Sequence, residues 1–149
     1  MVIDTSAMIA IQFAEPESSA LTVAILASET RLMSAATYVE YVAVLARRFP
    51  RFAAADWAER VVAGLGIKVV DVTAAHALLA ADALETYGRA RHQAGLNYGD
   101  SFAYALAKAT GEPLLFKGDD FKRTDIEIVI EPTPHKRLSE IVAGYAAAR

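Results

Sequence analysis

The chain contains no cysteine, so neither a disulfide framework nor a thiolate metal site is open to it. Its three histidines, His76, His92 and His135, are scattered, which disfavours a zinc site. No apolar run approaches the roughly 20 residues a membrane span requires. A basic segment followed by a long apolar core is missing from the N-terminus, so no secretory signal is expected and the cytoplasm is the default location. P-loop and GxGxxG patterns are absent, and no Ser-His-Asp set is convincing. Internal repeats, low-complexity tracts and domain linkers are absent too. Positive charge is not in excess: the formal net charge is −3, which gives no whole-chain support for nucleic-acid binding.

What is present is apolar and helix-forming. Hydrophobic residues make up 54 % of the 149, which excludes disorder and suits one domain, residues 1–149, with a sizeable core. Alanine supplies much of that share and favours helices. The basic residues cluster as Arg47, Arg48 and Arg51, as Arg89, Arg91 and His92, and as Lys117, Lys122 and Arg123. An acidic centre with such a rim suits a metal-dependent enzyme acting on a phosphate polymer. Ordinary solvated helix ends and loops explain each cluster taken singly.

The chain is organised around Met1-Val2-Ile3-Asp4-Thr5-Ser6-Ala7. Three apolar residues run into a carboxylate and two hydroxyls, so Met1–Ile3 reads as a buried strand. Helices are expected at Ser6–Phe13, stopped near Glu15-Pro16, and at Ser18–Ala27. A strand at Arg31–Ser34 precedes helices at Thr37–Arg48 and Ala53–Gly64, with Gly66 turning the chain. Ile67–Val72 is β-branched and reads as a strand. Next come a helix at Ala74–Tyr87, a basic loop Gly88–Gly95, a helix at Asp100–Thr110 capped by Gly111, and strands at Leu114–Phe116 and Ile126–Ile130. Pro132 and Pro134 precede a tail with a short helix, Leu138–Ala148. Strands alternating with helices predict an α/β fold with a mostly parallel sheet covered on both faces.

The carboxylates carry the chemistry. Asp4 follows a strand and opens a helix, Glu40 lies early in a helix, Asp100 opens another, and Asp119 and Asp120 follow Gly118 in a turn. Each has a local explanation: capping for Asp4 and Asp100, a capping box with Thr37 for Glu40, a turn for the last pair. Together they fall beyond the carboxyl ends of strands, which a parallel sheet gathers at one edge, where open α/β sheets bind ligands. Converging carboxylates repel unless a cation neutralises them. Oxygen ligands select a hard ion, Mg²⁺ or its substitute Mn²⁺. Thr5, Ser6 and Ser101 flank the acids and could orient them or bound waters; local capping explains them equally well. Gly99 is expected to bend the backbone so that Asp100 points inward.

With Asp4-Thr5-Ser6, Glu40 in a helix, Asn97-Tyr98-Gly99-Asp100-Ser101 opening a helix and Gly118-Asp119-Asp120-Phe121 after a strand, the chain resembles the PIN-domain ribonucleases from Met1 to about Ile130. More narrowly, it resembles the VapC-type toxins of toxin–antitoxin pairs. The resemblance implies a Rossmann-like three-layer α/β/α fold and Mg²⁺-dependent cleavage of RNA, leaving 5′-phosphate and 3′-hydroxyl ends. It carries catalytic or metal roles onto Asp4, Glu40, Asp100 and an aspartate of the Asp119-Asp120 pair, with Thr5, Ser6 and Ser101 in support. It also implies a homodimer and a cognate, VapB-like antitoxin whose tail lies across the toxin. Leu21, Ile25, Trp57 and Val61 are then open either to that partner or to the core.

Two rival readings share part of the pattern. A phosphoacceptor receiver domain would use Mg²⁺, Lys117 and Asp71, but it wants paired acids after its first strand and its phosphoacceptor after a central one. A PIN-like module that binds without cutting would not need the full set of acids.

Overall fold

The computed structural model describes residues 1–51 and 53–129. The chain runs β1 (Val2–Ile3), α1 (Thr5–Gln12), α2 (Ser18–Ala27), β2 (Leu32–Ser34), α3 (Ala35–Arg48), α4 (Ala54–Gly64), β3 (Lys68–Val70), α5 (Ala74–Tyr87), α6 (Tyr98–Thr110) and β4 (Leu114–Leu115), then a 3₁₀ turn at Asp120–Arg123. The expected tail, 132–149, with its helix at Leu138–Ala148, lies outside the described residues.

All four strands are parallel, in the order β3-β2-β1-β4. Val2 pairs with Leu32 on one side and Leu114 on the other. Successive side chains of a strand point to opposite faces, and the core divides accordingly. Ile3, Met33 and Leu115 bury with Met8, Leu21, Ile25, Tyr41, Leu45 and Val62 from the first four helices. Val2, Leu114 and Phe116 bury with Ala83, Leu96, Leu106 and Phe121 on the other face. The result is three layers, helix, sheet and helix. Leu21 and Ile25 are core residues, Val61 is half-buried against that core, and Trp57 is partly exposed with its indole Nε1 donating to Gln12 Oε1 at 2.8 Å. Among the described residues no helix is long and apolar enough to cross a membrane.

Helix ends follow local chemistry. Gly111 closes α6 in the left-handed conformation, φ +70°, its N–H on Ala107 O at 2.9 Å. Arg31, just before β2, donates to Ser28 O (2.9 Å), Leu65 O (2.8 Å) and Leu26 O (2.8 Å), tying the ends of α2 and α4 to the amino end of the sheet.

Three expectations need correction. Helix α3 begins at Ala35 and is capped by Ser34, whose hydroxyl accepts from Ala36 N–H at 3.3 Å. Thr37 is therefore inside the helix, and Glu40 is not its capping-box partner. Helix α6 begins at Tyr98, capped by Asn97, so Gly99 is helical and bends nothing. The expected strand at Ile126–Ile130 is, within its described part, a single parallel bridge between Ile128 and Leu114.

Candidate active site at the carboxyl edge of the sheet

Asp4 leaves the carboxyl end of β1, an inner strand of the sheet between β2 and β4. Its side chain is 3 % exposed and caps α1, Oδ2 accepting from Ser6 N–H at 2.9 Å and from Ser6 Oγ at 2.6 Å. Ser6 Oγ in turn accepts the N–H of Lys117, from the segment after β4, at 2.9 Å. Two neighbouring strand ends thus meet on one hydroxyl. The other oxygen, Asp4 Oδ1, is buried and accepts no hydrogen bond. Burial pushes the Asp4 carboxyl above the ordinary range and the Glu40 charge adds to this, against the lowering effect of the Ser6 bonds.

Glu40 crosses from α3. Thr5 Oγ1 donates to Glu40 Oε2 at 2.7 Å and also lies 3.3 Å from Thr37 O. Opposite stands Gly99, where a Cβ would come within 2.4 Å of Glu40 Oε1. The glycine is a notch that admits the glutamate, a role sequence reasoning missed because it gave Gly99 only a bend in the backbone.

Asp100 occupies the third position of α6 and exchanges two bonds with Asn97: Asn97 N–H donates to Asp100 Oδ2 at 2.7 Å and Asp100 N–H to Asn97 Oδ1 at 3.1 Å. Its carboxyl is pushed up to about 7, chiefly by burial, with further contributions from the charges of Asp4, Asp120 and Glu40 and opposition from the Asn97 amide. Four acids from four segments therefore share one electrostatic environment.

Asp119 does not join them. Its side chain is 85 % exposed and accepts from Lys122 Nζ at 2.8 Å, which holds its carboxyl below the ordinary range. Asp120, the first residue of the 3₁₀ turn, is the member of the pair whose charge reaches Asp100. Ser101 also stands apart: it is fully buried and its hydroxyl donates to Tyr98 O at 2.7 Å within α6.

Among the described residues no three acidic or imidazole groups are arranged, as they stand, to hold one ion. The donor chemistry nonetheless suits a hard cation. The groups offered are all oxygens, and Asp4 Oδ1 is a buried carboxyl oxygen without a donor, an arrangement a cation would relieve.

The cationic rim is largely engaged. Lys117 Nζ is bound by Glu15 and, at 3.1 Å, by Glu17. Lys122 is on Asp119, and Arg123 Nη1 donates to Gln93. Arg47, Arg48 and Arg51, at the far end of α3, and Arg89 and Arg91, in the loop before α6, are exposed.

The receiver reading fails on topology. Asp71 follows β3, which is the edge strand of the described sheet, whereas a receiver's phosphoacceptor follows a central strand.

A parallel three-layer domain with acids gathered at the carboxyl end of its central strand is the architecture of a PIN domain, and the PIN domain family matches residues 1–127. The chain belongs to that family, and within it to the VapC group. It is 46 % identical over 135 residues to Ribonuclease VapC30 of Mycobacterium tuberculosis, covering 89 % of this chain and all of that one. It is 45 % identical over 132 residues to Ribonuclease VapC of Mycolicibacterium smegmatis, covering 87 % and 99 %. The crystal structure of Mycobacterium tuberculosis VapC20, a toxin described as cleaving the sarcin-ricin loop, superposes with a TM-score of 0.70 at 19 % identity, covering 88 % of this chain and 98 % of that one. A toxin–antitoxin complex from Klebsiella pneumoniae gives 0.62 at 18 %, covering 91 % and 98 %. At such identities the two structures speak for the fold alone.

Proposed function

We propose that the chain is a Mg²⁺-dependent endoribonuclease and the toxin of a toxin–antitoxin pair. The observation that carries this is the buried, unpartnered Oδ1 of Asp4 within the shared field of Glu40, Asp100 and Asp120. Names of the VapC relatives, covered over nearly their whole length, support the same activity.

In this reading Asp4, Glu40, Asp100 and Asp120 hold the ion, and Mn²⁺ substitutes for Mg²⁺. When bound, such an ion polarises a phosphate and makes a bound water nucleophilic near neutral pH. Ser6 fixes the rotamer of Asp4 and Thr5 fixes that of Glu40, so the acids are preorganised by hydroxyls that are not ligands themselves. Glu40 is the group we assign to accepting a proton from the attacking water. The exposed arginines at Arg47–Arg51 and Arg89–Arg91 are assigned to flanking phosphates, contacts that weaken with salt. A cognate antitoxin and a second copy of the chain complete the expected partners.

The test is cleavage of RNA by the purified, antitoxin-free chain, with Mg²⁺ and with EDTA, beside Asp4→Asn. Cleavage that needs the ion and is lost in the variant is the expected result. Equal cleavage by Asp4→Asn rejects the assignment. A chain that binds RNA yet never cuts it, with or without Mn²⁺, is a binding module instead.

A further inference from the structure

Tyr98 is 74 % exposed, the most exposed large apolar side chain among the described residues, and it sits two positions from Asp100. Nothing about helix formation requires an aromatic there, and leaving one in water forgoes its burial energy. The ring nevertheless has an aromatic neighbour. Phe102, one turn on, packs against it with centroids 5.0 Å apart and planes at 80°. Its carbonyl accepts from Ser101 Oγ at 2.7 Å, and the next residue, Gly99, is seated against Glu40. The backbone beneath the ring is therefore tied to the segment that carries Asp100, and the ring rests on Phe102 while most of it faces solvent.

Resting on the ribonuclease reading above, we propose that Tyr98 is a nucleobase-stacking platform that holds an unpaired base of the RNA flanking the cleavage site. Two features select this occupant. At about 100° per residue, Tyr98 stands roughly 160° around α6 from Asp100, so it addresses a neighbouring nucleotide and not the phosphate at the acids. In the segment after β4, Lys117 is bound to Glu15 and Glu17, and Lys122 to Asp119. A base stacked on an aromatic ring adds a grip that does not depend on charge, beside the arginine contacts to flanking phosphates, and serves any sequence. Val39, also exposed, is the residue before Glu40, so apolar surface flanks the acids from a second element.

The experiment compares Tyr98→Ala, Tyr98→Phe and Tyr98→Trp with the parent on a single-stranded RNA that the parent cleaves. Stacking predicts a KM raised about 10-fold in Tyr98→Ala with kcat within about 2-fold, and near-parental values for Phe and Trp. In an Asp4→Asn background, the fluorescence gained with the Tyr98→Trp substitution is quenched by a 12-nucleotide oligo(A) and much less by the same strand carrying abasic sugars. An unchanged KM in Tyr98→Ala, or equal quenching by the abasic strand, overturns the platform while leaving the nuclease reading intact. Loss of a dimer in Tyr98→Ala, read by light scattering, also overturns it and makes the ring a subunit contact. If the parent neither cleaves nor binds any RNA, the nuclease reading falls and the platform with it.

Discussion

Gly99 lies directly against the carboxylate of Glu40: a Cβ at that position would stand 2.4 Å from Oε1 and 2.6 Å from Oε2. The atoms in the way are the end of a flexible side chain, so an added methyl moves Glu40 and spares the backbone. Gly99→Ala is therefore expected to fold well, and even to gain up to about 1 kcal/mol from helix propensity. Displacing the carboxylate by about 1 Å should cost on the order of 100-fold in cleavage. Parallel urea titrations and single-turnover rates check this. A variant as active as the parent would show that Glu40 has no catalytic part.

Asp119 and Asp120 should separate cleanly. Asp119 is exposed on Lys122, whereas Asp120 contributes to the field at Asp100. Asp119→Asn is expected to keep activity within about 2-fold, because an exposed ion pair is worth little. Asp120→Asn should lose at least about 10-fold, as loss of a group beside a metal site typically does. Steady-state kinetics on both variants decides between them, and the reverse ranking would show that the 3₁₀ turn rearranges on binding.

The Asp100 carboxyl, pushed up to about 7, makes the metal-free fold sensitive to pH. Below its ordinary value of 3.8 the group is protonated whether folded or not, and costs nothing. Between 3.8 and about 7 the unfolded chain ionises while the folded one resists, so stability falls as pH rises through that window. Above it the penalty is constant, on the order of a few kcal/mol. Asp100→Asn should thus be about as stable as the parent near pH 4 and clearly more stable near pH 8. Millimolar Mn²⁺ should narrow that gap by stabilising the parent at the higher pH. Urea midpoints across the range measure the difference, and a gap that does not grow with pH refutes the account.

Much of this site was legible in the sequence because strand ends are. Met1-Val2-Ile3 marks a buried strand whatever surrounds it, and Asp4 must then stand at its carboxyl end. Helices α2 and α5 fall at the expected Ser18–Ala27 and Ala74–Tyr87. The errors have a common cause, which is that local pattern cannot see a partner across the fold. Gly99 reads as a bend before the helix, yet it lies inside α6, and Glu40 fills the space a side chain would take there. Glu40 three residues after Thr37 looks like a capping box, but Ser34 had already capped the helix. Ile126–Ile130 reads as a strand, but β4 is only two residues long, and among the described residues pairing is confined to the bonds Leu114 N–H to Glu127 O and Val129 N–H to Leu114 O, both 2.9 Å. Adjacent Asp119 and Asp120 are indistinguishable until the turn pairs one with Lys122 and brings the charge of the other to bear on Asp100.

Arg31 offers a test of stability without chemistry. Its guanidinium donates to Ser28 O, Leu65 O and Leu26 O at 2.8 to 2.9 Å, joining the ends of α2 and α4. A planar fork satisfies three carbonyls at once, which a lysine ammonium on a shorter reach does not reproduce. Replacing it with methionine keeps the aliphatic stem and leaves those acceptors to whatever water reaches them. The expected loss is on the order of 2 kcal/mol, with Arg31→Lys in between. Activity below the melting transition should stay within about 2-fold, because Arg31 precedes β2 and the acids follow the strands. Three residues of strand at about 3.3 Å each keep the two edges about 10 Å apart. Calorimetry and cleavage measured on the same samples make the distinction. A fall in activity that matches the fall in stability, measured well below the melting transition, would mean that the amino edge of the sheet governs the acids at its other end.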